Sequence, residues 1–145
     1  MSQQHTEQNI PKVGYVLSCI DRRFVEVTRR TFEALTGLGG TDYYHEAFAG
    51  GALGEPPPVN GARYVYTRSF EGDKDINLVA MCWQAHIDHC GGLPGESDSV
   101  IRARFQSRID SRFLQSAFPR VQTHIFLLAS LNSEGQPVVE QLFPN

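Results

Sequence analysis

Three stretches of this chain are almost uninterrupted runs of apolar, β-favouring residues: Val13–Cys19 (VGYVLSC), Ile76–Trp83 (INLVAMCW) and Val121–Ala129 (VQTHIFLLA). A strand with one face in water alternates apolar and polar residues. These do not alternate, so each is expected to be covered on both faces. Such strands belong to parallel sheets with helices packed against them. Between the first two runs, Phe24, Val27, Thr31 and Leu35 recur at spacings of three and four, which predicts one face of a helix. Gly37, Gly39 and Gly40 supply its stop, because glycine accepts the left-handed cap conformation cheaply. Tyr43–Phe48 reads as another strand. Ser97 or Ser99 can cap a later helix, in which Ile101, Phe105, Ile109, Phe113 and Ala117 repeat every four residues before Pro119 ends it. The expected fold is α/β, a mainly parallel β-sheet flanked by helices.

The remaining segments are read as connections. Residues 1–11 form a polar tail, and 12–145 one domain. Glu55–Pro58 is a proline-rich loop, 61–70 suits either a strand or a short helix, and Gly72–Asp75 is a turn.

Charge and composition narrow the partners. A net charge of -3 argues against nucleic acid. No apolar run approaches the ~20 residues of a membrane span. Residues 1–9 are polar, without the apolar core of an export signal, so a reducing cytoplasm is the expected compartment. Three cysteines, an odd number, do not make a disulfide framework. In a reducing compartment, cysteines beside histidines point to metal binding or chemistry.

In open parallel sheets, ligands sit at the carboxyl ends of strands. Two such ends carry reactive groups: Cys19-Ile20-Asp21-Arg22-Arg23 after the first strand, and His86-Ile87-Asp88-His89-Cys90 after Ile76–Trp83. Cys19, His86 and Cys90 could supply three ligands to zinc and leave a fourth position for water, whose pKa the ion lowers toward ~7. Asp21 either closes that position or pairs with Arg23, whose planar fork matches a carboxylate. His89 is an alternative ligand, and a site of Cys19, His86 and His89 would leave Cys90 spare. Cys82, inside a strand, is read as core, and His45 and His124 as structural histidines. The arginines at 102, 104, 108 and 112 are read as a solvated helix face. Gly50-Gly51 and Gly91-Gly92 suit tight turns and match no phosphate-binding pattern.

Taken in order, these segments resemble the β-class carbonic anhydrases. Cys19-Ile20-Asp21-Arg22-Arg23 is similar to that family's Cys-x-Asp-x-Arg motif. Ala47-Phe48-Ala49-Gly50 resembles a degenerate Arg-Asn-Ala-Gly segment, and His86–Gly91 its His-x-x-Cys-Gly motif. The likeness extends from about Lys12 to Leu131. It departs at the histidine: the family places it three residues before the cysteine, where this chain has Ile87, and His86 stands four before Cys90. Either one residue is inserted in the loop or the site is rebuilt.

The resemblance implies zinc held by Cys19, His86 and Cys90, with Asp21 and Arg23 as a gating catalytic pair. It implies reversible hydration of carbon dioxide to bicarbonate by a zinc-bound hydroxide, in a homodimer or higher homo-oligomer. Relatives on that scaffold hydrolyse carbon disulfide or carbonyl sulfide. A relative without catalysis, acting as a binding or assembly protein, is the expectation from another class.

Overall fold

The computed structural model describes residues 10–54 and 77–145. The readings made for the tail at 1–9 and for residues 55–76 lie outside the described residues. Five strands form one sheet: β1 (Lys12–Cys19), β2 (Tyr43–Phe48), β3 (Asn77–His86), β4 (Thr123–Leu131) and β5 (Pro137–Phe143). Their order is β2-β1-β3-β4-β5. The first four are mutually parallel, and β5 runs antiparallel to β4. Helix α1 (Arg22–Thr36) joins β1 to β2, while α2 (Asp98–Asp110) and the short α3 (Phe113–Ala117) precede β4. The class is α/β, as the apolar strands predict.

Alternation along β1 shows why its sequence lacks a polar face. Tyr15, Leu17 and Cys19 point into a core with Trp83, Phe105 and Phe126. Val16 points the other way, toward Phe32, Cys82 and Ile125. Cys82 is fully buried there, as expected for a core residue. Each face is covered, so both need apolar side chains. His45 bonds Ser18 Oγ at 2.7 Å, and His124 bonds the Trp83 indole at 3.1 Å.

Several expectations are corrected. The buried face of α1 is Phe24, Thr28 and Phe32, while Leu35 is 46% exposed. The i, i+4, i+8 stripe runs one residue aside from the one expected, because Phe32 is the large side chain that meets Val16 and Tyr43. The cap is as expected: Gly37 takes φ 76° and its N–H bonds the Glu33 carbonyl at 2.8 Å. The late apolar stripe does not run through one helix. Ser111 caps α2 and Arg112 turns left-handed (φ 58°), which rotates Phe113 outward and buries Leu114. The strand ending at Trp83 continues to His86. β5 has no counterpart in the sequence reading. It is only partly buried, and its order comes from pairing with β4.

Candidate metal centre

β1 and β3 lie side by side, and between them the chain reverses its progress across the sheet. Such a switch point opens a crevice at the carboxyl ends of the two strands. Cys19 ends β1, His86 ends β3, and Cys90 returns from the following loop. All three are buried, and their ligand atoms lie within 4.8 Å of one another. The Cys19 and Cys90 sulfurs are 3.9 Å apart. Two sulfurs bound at ~2.3 Å to one tetrahedral ion would stand ~3.8 Å apart, against ~2 Å in a disulfide. All three cysteines are free thiols.

The loop after His86 solves the spacing of four. Asp88 (φ 63°) and His89 (φ 66°) are both left-handed, so the chain doubles back and brings Cys90 beside Cys19. Non-glycine residues in that conformation cost roughly 1–3 kcal/mol each unless their surroundings hold them. Here the Asp88 N–H donates to Asp98 Oδ1 at 2.9 Å, and its Oδ2 accepts the Leu131 N–H at 2.7 Å. Arg23 Nη2 donates to the Asp88 and His89 carbonyls at 2.8 and 3.1 Å. This turn leaves the His89 side chain exposed and outside the cluster, while His86 lies inside it.

His86 is set up to use its Nε2. A carbonyl only accepts, so Nδ1 carries the proton and donates to the Ile87 carbonyl at 2.7 Å. Nε2 then bears the lone pair, and this buried atom has no hydrogen-bond partner among the described residues. Burial opposes a charge on the ring, but Cys19 and the Ile87 carbonyl outweigh it and raise the pKa. The Phe24 ring packs on the imidazole, centroids 4.7 Å apart.

The two sulfurs lie within hydrogen-bonding reach of each other. Contact with the Cys90 sulfur lowers the Cys19 pKa against the effect of burial, helped by His86 and the N–H groups of Asp21 and Gly50. At Cys90 the neighbouring Cys19 sulfur, and then burial, raise the pKa, although the N–H groups of Gly92 and Leu93 favour its thiolate. Backbone N–H donors therefore face both sulfurs, as a thiolate pair requires.

Asp21 and Arg23 are paired. Arg23 Nη2 meets Asp21 Oδ2 at 2.8 Å, Nε meets Oδ1 at 3.1 Å, and the Arg23 N–H donates to Oδ1 at 2.9 Å as the cap of α1. Bonding to Arg23 lowers the Asp21 pKa to about 2. Asp21 Oδ2 is 3.6 Å from His86 Nε2, at the edge of the cluster.

Gln84 escaped the sequence reading. Fully buried, it accepts the Cys19 N–H through Oε1 at 2.9 Å and donates through Nε2 to Thr28 Oγ1 at 3.0 Å. Its only signal in the sequence was a polar residue inside an apolar strand. Gly51 and Gly92 let three backbones meet here. A Cβ on Gly51 (φ 57°) would lie 2.2 Å from the Gln84 carbonyl oxygen, and one on Gly92 2.2 Å from the Gly50 nitrogen.

Comparison with known proteins leaves this geometry to speak for itself: no family model matches the chain, and no curated protein or solved structure matches it. A mostly parallel α/β sheet and a buried Cys-His-Cys cluster are what the structure has in common with the resemblance. The donor set is compatible with a metal such as zinc.

Proposed function

We propose that this chain is a zinc lyase of the β-carbonic anhydrase kind, converting carbon dioxide and water to bicarbonate and back. The observation that carries the reading is the convergence of Cys19, His86 and Cys90 within 4.8 Å, beside a carboxylate that Arg23 holds in its fork. Cys19, His86 and Cys90 would hold the ion. When bound, zinc lowers the pKa of a water molecule and so makes hydroxide accessible near neutral pH.

The chain's own groups divide the remaining work. The Arg23 fork occupies both Asp21 oxygens, which favours an open fourth position over one closed by Asp21. Ionised well below neutral pH, Asp21 remains an acceptor that can orient a neighbouring O–H. Arg23 also bonds the Asp88 and His89 carbonyls, so one side chain couples the carboxylate to the turn that presents Cys90. Gln84 holds the Cys19 backbone from the far side. The same reading takes the carbon dioxide/bicarbonate pair as substrate, no nucleic-acid or membrane partner, a cytoplasmic site of action and homo-oligomeric assembly. No helix among the described residues is long and apolar enough to cross a membrane.

The test is metal content of the protein purified without added zinc or chelator, followed by stopped-flow carbon dioxide hydration. Close to one zinc per chain and hydration inhibited by small anions are expected. Zinc without hydration, but with turnover of carbonyl sulfide or carbon disulfide, would move the substrate to the sulfur analogues. Zinc with no exchangeable water and no turnover would make this a binding or assembly protein. Absence of metal after reconstitution with zinc under reducing conditions would end the proposal.

A further inference from the structure

A cavity lies where α2 gives way to α3. It measures about 740 Å³, and its walls are Arg104, Ser107, Arg108, Ser111, Phe113 and Ser116. Its size falls within the range of sites for small organic ligands. Asp98, at the start of α2, is where that helix bonds the loop of the metal centre. Arg108 stands ten residues further on, about 15 Å along a helix, so the cavity is separate from the metal cluster.

The sequence builds this wall on one helix face. Arg104, Ser107, Arg108 and Ser111 recur at i, i+3, i+4 and i+7. Arg112 then turns left-handed (φ 58°), ends the continuous helix and sends the Phe113 ring outward, where it is 47% exposed. Ser111 fixes this joint: its Oγ donates to the Arg108 carbonyl at 2.9 Å and accepts the Phe113 N–H at 3.3 Å. The accessible lining is more apolar than polar, because the Phe113 ring and the arginine stems both face it.

Charge defines the polar end of what would fit. No carboxylate stands among the described residues that line the cavity. Arg102 pairs with Glu140 and Arg104 with Glu96, so neither leaves a cation uncompensated. Arg108 forms no ion pair among the described residues. Its guanidinium lies over the Phe113 ring, 5.1 Å from the centroid. Stacking uses the face of a guanidinium, and its N–H groups lie in its plane, so they still donate to an anion. The exposed hydroxyls of Ser107 and Ser116 add further donors at the rim.

We propose that this cavity binds a small aromatic monoanion. The anionic head pairs with Arg108, the one cation of the wall without a carboxylate, and the flat apolar body packs against Phe113 and the arginine stems. The inference does not depend on the metal centre.

The experiment is equilibrium dialysis of the full chain against 2-naphthoate and against 2-naphthamide, which share the ring and differ in charge. Saturable binding of naphthoate is expected, with naphthamide about tenfold weaker or worse, since it lacks the charge-assisted contact. Arg108→Gln should weaken naphthoate about tenfold and bring the two affinities together. Phe113→Ser should weaken both ligands about threefold to tenfold. Both side chains lie at the surface, and circular dichroism establishes that the variants fold. An anion can also bind a metal, so Cys19→Ala is dialysed alongside and should bind naphthoate like the unaltered chain. No saturable binding, equal affinities in the unaltered chain, naphthoate affinity unchanged in either groove variant, or its loss in Cys19→Ala would each overturn the proposal.

Discussion

Gln84 Oε1 accepts the backbone N–H of Cys19 at 2.9 Å, a bond between two residues 65 apart in sequence. The same side chain donates to Thr28 on α1 at 3.0 Å, so one buried amide ties β3, β1 and α1 at the point where the cluster forms. Replacing it with Gln84→Leu orphans the Cys19 N–H and the Thr28 hydroxyl together. Urea unfolding should show a loss of roughly 2–4 kcal/mol, about 1–3 for each group left unsatisfied with partial relief by local relaxation. Thr28→Val should cost about half as much. A leucine variant as stable as the unaltered chain would mean that Gln84 does not position Cys19.

The metal prediction separates two histidines that stand three residues apart. Cys19→Ala, His86→Ala and Cys90→Ala should each lose the ion, because each removes one of the three clustered ligand atoms. His89→Ala should keep it, since that side chain is exposed. Cobalt substitution is the measurement, with thiolate-to-cobalt absorption following the ion. Retention in His86→Ala with loss in His89→Ala would reverse the assignment.

Arg23 bonds a carboxylate and two loop carbonyls at once. Arg23→Gln should lower carbon dioxide hydration about 10–100-fold, the usual cost of removing a group that orients a metal site. Zinc content should stay near the unaltered value, which separates loss of the pair from loss of the ion. Full activity in this variant would remove Arg23 and Asp21 from the mechanism.

Two adjacent glycines give a steric test of the loop. Gly92→Ala places a Cβ 2.2 Å from the Gly50 backbone nitrogen, and backbone cannot move aside cheaply. A loss of about 3 kcal/mol or more is expected, at the upper end of overpacking costs. Gly91→Ala meets nothing within 4 Å and should change stability by less than about 1 kcal/mol. Thermal denaturation of both variants, side by side, decides it.

His124 links stability to pH. Burial, opposed by its bond to the Phe118 carbonyl and reinforced by Arg112, lowers its pKa below the free value. The unfolded chain therefore takes up a proton near pH ~6.5 that the folded chain refuses. The contribution is fully present above that pH and falls away as pH drops from there toward the depressed folded value. Urea midpoints measured from pH 8 to 5 should decline below pH ~6.5. His124→Gln, which can still accept the Trp83 N–H, should flatten the decline; an unaltered slope in that variant would assign it to other groups.

What the residues announced by themselves was local. Uninterrupted apolar strands declared a sheet covered on both faces, and ordinary propensity placed β1, β2, β3 and β4 to within a few residues. Cys19, Asp21, Arg23, His86 and Cys90 were visible because two strand ends carried thiols, imidazoles and a charged pair. Periodicity was less dependable where bulk mattered more than spacing. The face of α1 follows Phe32, and the late helix breaks at Arg112, because side-chain volume in a shared core outweighs a regular pattern. β5 was silent because its apolar residues, Val138-Val139 and Leu142-Phe143, come in adjacent pairs that match neither the alternation of a strand nor the spacing of a helix, and its order comes from pairing with β4.

Tertiary structure alone decided which of these groups meet. Residues 65 apart become neighbours only when β3 pairs beside β1, a non-local choice that no window of sequence encodes. The choice of His86 over His89 depends on two left-handed residues. Local preference disfavours them, and Arg23, Asp98 and Leu131 hold them through bonds from three other elements. The chain specified the side-chain types of the cluster through its strand ends. The packed loop specified their geometry, because a strained turn persists only where long-range contacts outweigh its cost.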